Sequence, residues 1–194
     1  MTMPYDQQED TPDDALLVLY ANGDGSAARV LTLRLTPRAF AHAFRMLGDR
    51  AEAEDVAQEA MIRLFKQAPD WRQGEAKVTT WLYRVTANLC TDRLRKTKGV
   101  ALDAIPEPED GAKSAAQEMQ DRARADALQN ALATLPDRQR QAVVLRHIEG
   151  QSNPEIAEIM EISVEAVESL TARGKRALAQ ALASQREALG YTDG

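Results

Sequence analysis

Hydrophobic positions along this chain recur at helical spacing almost throughout, and no alternating apolar–polar run is bounded by a tight Asn-Gly or Asp-Gly turn. The pattern predicts an all-α protein. A short helix is expected over residues 14–20, broken by Asn22-Gly23-Asp24-Gly25, with Ser26 able to cap the next. Pro37 is expected to kink or restart that second helix, in which Phe40, Phe44 and Leu47 recur at i, i+4 and i+7 before Gly48-Asp49 ends it. The next helix spans 51–67. Its apolar set, Val56, Ala60 and Leu64 with Ile62 and Phe65, is assigned to a core, while Asp55, Gln58, Glu59 and Arg63 lie on the wet side. Pro69 closes it, and a polar loop from 70 to 79 carries Trp71, Gly74 and Lys77. Thr80 then caps a helix over 81–96 that buries Trp81, Leu82, Val85 and Leu89. Arg84, Asn88, Thr91 and Arg95 form one outward row, and Arg93, Arg95, Lys96 and Lys98 suit the negative end of the helix dipole.

The stretch 97–117 has two glycines, two prolines, four acids and no sustained period, and reads as a flexible linker. Beyond it a helix over 123–135 is broken at Leu135-Pro136, and a second runs over 137–148, with Val144, Leu145 and Ile148 inward, to a turn at Glu149-Gly150. Ser152-Asn153-Pro154-Glu155 combines a capping box with an early proline, starting a short helix over 154–160. Glu161-Ile162 turns the chain, and Ser163 caps a long helix from 164 to about 183. Its seam is Val167, Leu170, Gly174, Leu178 and Ala181, where the bare Gly174 admits a neighbouring helix. A short helix, a tight turn and a capped longer helix have the outline of a helix-turn-helix, which a generic helical hairpin shares.

Composition narrows the class. The chain has 194 residues, 44% hydrophobic and 28% charged, as soluble globular proteins do. No apolar run approaches a membrane span. The first residues carry Asp6, Glu9, Asp10, Asp13 and Asp14, unlike a signal peptide. One cysteine and two histidines allow no internal disulfide and make a poor metal-ligand set, and Cys90 reads as a buried packing residue. A cytoplasmic protein without metal, cofactor or membrane insertion is expected.

The net charge of −6 is segregated: −5 over 1–33, +5 over 34–98, −5 over 99–121 and −1 over 122–194. A basic block between acidic ones reads as a polyanion-facing surface; solvated helical faces have the same composition. Glu52, Glu54, Asp55 and Glu59 would be the carboxylates of a metal-dependent nuclease, but their spacing does not bring them to one helix face, and no His or Lys stands by as a base.

Taken in order, the stretches AEAEDVAQEAMIRLFK (51–66), TTWLYRVTANLCTDRLRK (79–96) and ALATLPDRQRQAVVLRHIEGQSNPEIAEIMEISVEAVESLTARGKRAL (131–178) resemble a bacterial sigma factor of the small extracytoplasmic-function (ECF) group. The D-x-x-Q-E, W-L-Y-R-x-x-x-N-x-x-x-D and L-P-x-x-x-R…E-I-A runs carry the resemblance. It implies two helical domains, sigma-2 over 12–98 and sigma-4 over 122–184, joined by an acidic linker over 99–121. It implies that Asp55, Gln58, Glu59 and Arg63 dock on the clamp helices of core RNA polymerase, where carboxylates meet basic side chains. It assigns Lys77, Trp81, Arg84, Asn88, Thr91, Arg95 and Lys96 to the promoter's −10 element, with Asn88 at a flipped-out base. Relatives carry aromatics where this chain has Val78 and Thr79. For the −35 element it implies the helix after Ser163, with Ser169, Arg173, Lys175 and Arg176 making contacts. Glu165 and Glu168 stand where DNA-friendly residues are usual, and Glu161 replaces a frequent turn glycine. The linker acids Asp103, Glu107, Glu109 and Asp110 are expected in a basic channel of the polymerase. Promoter DNA, core polymerase and an anti-sigma factor are the implied partners, with no small-molecule substrate. A helix-turn-helix regulator that is not a polymerase subunit is the alternative, which would need a ligand pocket or receiver domain in residues 12–98.

Overall fold

A computed structural model describes residues 10–99 and 115–186. They form eight α-helices and no strand: α1 (Asp13–Ala21), α2 (Gly25–Leu47), α3 (Arg50–Gln67), α4 (Val78–Gly99), α5 (Ala115–Ala133), α6 (Asp137–Val143), α7 (Asn153–Met160) and α8 (Val164–Arg186). The backbone divides into two compact units. The first holds α1 to α3 with α4 as far as Arg93; the second holds α5, α6, α8 and the larger part of α7.

In the first unit α2 packs against α1 and α3. Gly23, at φ 94°, turns the chain out of α1. The cap of α2 is Asp24, not Ser26: its carboxylate accepts from the Ser26 N–H at 2.9 Å and from the Ser26 hydroxyl at 2.5 Å. An anion outcompetes a hydroxyl at the positive end of a helix. Pro37 does not restart α2, which runs on through it for 23 residues. The carbonyl that loses its donor belongs to Leu33, four residues back on the exposed face where water can serve it. The opposite face buries Val30, Leu31, Leu35, Ala39 and Met46, which hold the helix in place. Gly48, at φ 73°, closes α2 with its N–H on the Phe44 carbonyl at 2.8 Å, and Asp49 caps α3.

Two expected boundaries shift. A 3-10 turn, Ala68–Asp70, takes in Pro69 after α3. Helix α4 starts at Val78 rather than after Thr80, with the Trp81 N–H on the Lys77 carbonyl at 3.1 Å. Val78 and Thr80 are both 2% exposed, so burial draws the first turn into the core. Leu82, Tyr83, Thr86, Ala87, Leu89 and Cys90 are buried, while Trp81 and Val85, expected in the stripe, are half-buried. Cys90 is fully buried, and burial pushes its thiol up to about 12.

The second unit rests on α8, against which α5 and α6 pack. Helix α5 begins at Ala115, inside the 99–121 segment, in a run of strong helix formers. Helix α6 passes into a π-helical turn, Val144–Ile148, and Gly150 at φ 69° reverses the chain. The capping box at α7 forms as expected. Glu155 accepts from the Ser152 N–H at 2.8 Å, and Ser152 Oγ accepts from the Glu155 N–H at 3.4 Å.

The arginine of the L-P-x-x-x-R run, Arg140, proves to be a structural clasp. It is 8% exposed, and its Nη2 donates to the carbonyls of Ala133 at 3.0 Å and Leu135 at 3.3 Å, tying the end of α5 to α6. Burial presses its pKa down and Asp137, 3.8 Å away, opposes that. Arg140→Met should lose about 2 kcal/mol in urea denaturation, since it strips buried carbonyls of a charged donor.

Candidate functional surfaces

On α3, Asp55, Gln58 and Arg63 are exposed and Glu59 is half-buried. They line one open groove of about 590 Å³ together with Ile62, Lys66 and Arg93. All four residues expected at a polymerase contact are therefore brought together, and three more join them. The surface has mixed charge rather than a bare acidic face. Glu59 Oε1 accepts from Arg63 Nη2 at 2.5 Å, Arg93 of α4 pairs with Glu52, and Arg93 Nη1 stands 4.0 Å from Asp55.

Ile62 corrects the sequence reading: it is 48% exposed and faces away from the core. At 100° per residue it follows Gln58 and Glu59 by one turn, not Val56 and Ala60, a phase the periodicity already contains. Beside it an apolar groove of about 910 Å³ opens between α2 and α3, bounded by Leu33, Pro37, Phe40, Met61, Ile62 and Phe65 among others. Leu33 is 57% exposed, and the sequence alone does not mark it, because an isolated exposed leucine breaks no pattern.

On α4 the outward row is present. Asn88 and Arg95 are exposed, Arg84 and Thr91 are half-buried, and Lys77 and Lys96 are exposed to either side. Thr91 donates its hydroxyl to the Ala87 carbonyl at 2.9 Å, leaving its oxygen as an acceptor. Trp81 is half-buried and meets Trp71 edge to face, with centroids 6.4 Å apart. Trp71 thus supplies an aromatic beside the row although positions 78 and 79 are not aromatic, a pairing that sequence spacing does not show. Arg93, counted among the terminal cations, turns back toward α3.

On α8, Ser169 and Arg173 are joined: Arg173 Nη2 donates to Ser169 Oγ at 2.9 Å and Nε to the Ser169 carbonyl at 3.3 Å. Arg176 falls within about 60° of both around the helix, whereas Lys175 lies more than a right angle away. The charges of Lys175 and Arg146 act on His147, whose pKa is lowered by burial first and then by these two cations. Glu165 is accommodated at the helix start. Its exposed carboxylate accepts from its own N–H and from the Ser163 hydroxyl, and its pKa is lowered. Glu161, at φ 53°, adopts the left-handed conformation the turn demands.

The carboxylates of the nuclease reading pair with arginines instead: Glu52 with Arg93, Glu54 with Arg50 and Glu59 with Arg63. Among the described residues no group of three His, Cys, Asp or Glu could hold a metal ion, and no helix is long and apolar enough to cross a membrane.

Two family models match. Sigma-70 region 2 covers residues 31–100, and Sigma-70 region 4 covers 125–178. The chain is 36% identical over 150 residues to the ECF RNA polymerase sigma factor SigW of Bacillus subtilis, spanning 72% of this chain and 80% of that protein. The chain belongs to the ECF sigma factor family. A second relative, the RNA polymerase sigma-H factor of Pseudomonas aeruginosa, is 30% identical over 181 residues, 88% of this sigma factor and 93% of that one. Of the solved structures, CnrH in complex with the cytosolic domain of CnrY matches with a TM-score of 0.67 at 24% identity, covering 89% of this chain and 97% of that chain. RpoE in complex with the anti-sigma factor NepR from Bartonella quintana matches at 0.63 and 20%, covering 79% and 95%. At those identities the likeness is one of fold. In this sigma factor the region 2 match takes in the α3 and α4 surfaces, and the region 4 match takes in α6, α7 and α8 as far as Leu178.

Proposed function

We propose that this sigma factor docks on core RNA polymerase through Asp55, Gln58, Glu59 and Arg63. On this reading Lys77, Trp81, Arg84, Asn88, Thr91, Arg95 and Lys96 engage the −10 element, and Ser169, Arg173, Lys175 and Arg176 the −35 element. The working parts are a domain over 12–98, a tether over 99–121 and a domain over 122–184. The protein supplies no catalysis; it acts in the cytoplasm by positioning the polymerase and trapping opened strands. The linker acids Asp103, Glu107, Glu109 and Asp110, which lie outside the described residues, are assigned to a basic channel of the polymerase. An anti-sigma factor is the proposed regulator, the kind of partner NepR is to RpoE.

The observation that carries this reading is the Asn88 amide. It stands exposed in the middle of the α4 row, and among the described residues no side-chain partner occupies it. An amide offers a donor and an acceptor side by side, matching a base edge, while the flanking arginines suit phosphates. A chain at −6 binds DNA weakly alone, because affinity for the duplex comes from phosphate neutralisation. The polymerase must therefore supply most of the positive field.

Asn88→Ala is expected to retain core binding while its discrimination among bases at the contacted −10 position falls about tenfold or more. Fluorescence anisotropy of holoenzyme with single-stranded −10 oligonucleotides carrying each base reads this out. Equal loss of core binding and discrimination would make Asn88 a structural residue.

A further inference from the structure

Helix α4 changes character along its length. Up to Cys90 it is anchored by side chains buried in the core; from Thr91 to Thr97 every side chain is half-buried or exposed. Thr91 of the proposed promoter row opens this outer half, where no side chain from Thr91 to Arg93 is fully buried. Arg93 lies on the same half, yet its guanidinium crosses to α3. It pairs with Glu52 in the first turn of α3, lies 4.0 Å from Asp55, and lines the groove that Asp55, Gln58, Glu59 and Arg63 share. Its side chain is 25% exposed, against 51% for Glu52 and 69% for Asp55.

We propose that Arg93 is a positioning residue that fixes the turn of α4 from Thr91 to Arg93 against α3, so that the polymerase-facing row and the promoter-facing row as far as Thr91 are presented as one unit. This rests on the reading of those two rows given above. Arg93 itself touches neither base nor phosphate; its guanidinium is directed to the carboxylates of α3. Ion pairs this exposed contribute little to global stability. The consequence of losing the tie therefore falls on the placement of the Thr91–Arg93 turn, and on the strand bound there.

The test uses reconstituted holoenzyme and single-stranded −10 oligonucleotide, with Arg93→Gln, Glu52→Gln and the reversed pair Glu52→Arg/Arg93→Glu. Arg93→Gln and Glu52→Gln should each weaken strand binding about fivefold, the lower end of ordinary coupling between sites. The salt slope should stay unchanged, and the reversed pair should recover most of the affinity. Thermal melting should move little, as so exposed a pair adds little stability; a purely stabilising tie would instead lower the melting temperature without changing strand affinity in the folded protein. If Arg93 instead contacts a phosphate, Arg93→Gln will reduce the salt slope by about one. Glu52→Gln will then leave affinity intact or raise it, and the reversed pair will fail; that pattern overturns the proposal, as does unchanged affinity in both single variants. A wild-type holoenzyme that shows no base preference at −10 would fault the promoter reading instead.

Discussion

Gly174→Val should destabilise the second unit by about 3 kcal/mol, the upper end of ordinary overpacking costs. A Cβ at this position would stand 2.5 Å from Val143 Cγ2 and 3.0 Å from the Gln139 carbonyl oxygen. The valine methyl could turn aside, but the carbonyl belongs to α6 and moves only if that helix moves. Gly174→Ala separates the two contributions. Alanine gains about 1 kcal/mol of helix propensity over glycine, and the clash should still leave a net loss. Adding Val143→Ala should return only part of that loss, because the carbonyl contact remains. Urea titrations followed by circular dichroism give these differences. Holoenzyme carrying Gly174→Val should also lose selectivity for −35 sequences, since α8 is the proposed reading helix.

Acid should destabilise the first unit through His42. Its ring is fully buried, meets Tyr83 edge to face at 5.4 Å, and among the described residues has no hydrogen-bond partner on either nitrogen. Burial, with the Arg45 charge adding to it, lowers its pKa from 6.5 to about 4. The unfolded chain therefore binds a proton near pH 6.5 that the folded chain refuses until about pH 4. The neutral ring's full contribution is present above pH 6.5 and is lost progressively as the pH falls toward 4, by roughly 3 kcal/mol in total. His42→Phe keeps the ring and removes the proton site. Plotted against pH, the difference in unfolding free energy between variant and wild type should grow across this interval and level off below it. Parallel curves would show that His42 is not buried as a neutral ring.

The sequence was most informative where one local rule dominated. Gly48 ended α2, the Ser152–Glu155 box opened α7, Glu161 took the left-handed turn and Gly174 marked a close helix approach. Each of these depends on residues a few positions apart. Legibility failed where long-range packing decided the outcome. Pro37 reads as a break, yet eight buried side chains carry α2 through it. Val78 and Thr80 read as loop and cap until the core claims both. The outward row on α4 was legible from spacing, as were the four α3 residues. The turning of Arg93 toward Glu52, 41 residues earlier, was not, because nothing local distinguishes a cation aimed at solvent from one aimed at a neighbouring helix. Ile62 is a different case: the phase of α3 places it outward, against the inward preference of its residue type.

The most direct test of the central claim is initiation itself. Purified chain is combined with bacterial core RNA polymerase lacking any other sigma factor, and run-off transcripts from a library of random upstream sequences are mapped. The account predicts starts confined to templates sharing two spaced elements, with Asn88→Ala blurring only the one nearer the start. Core polymerase that captures the chain yet initiates no differently from core alone would contradict it.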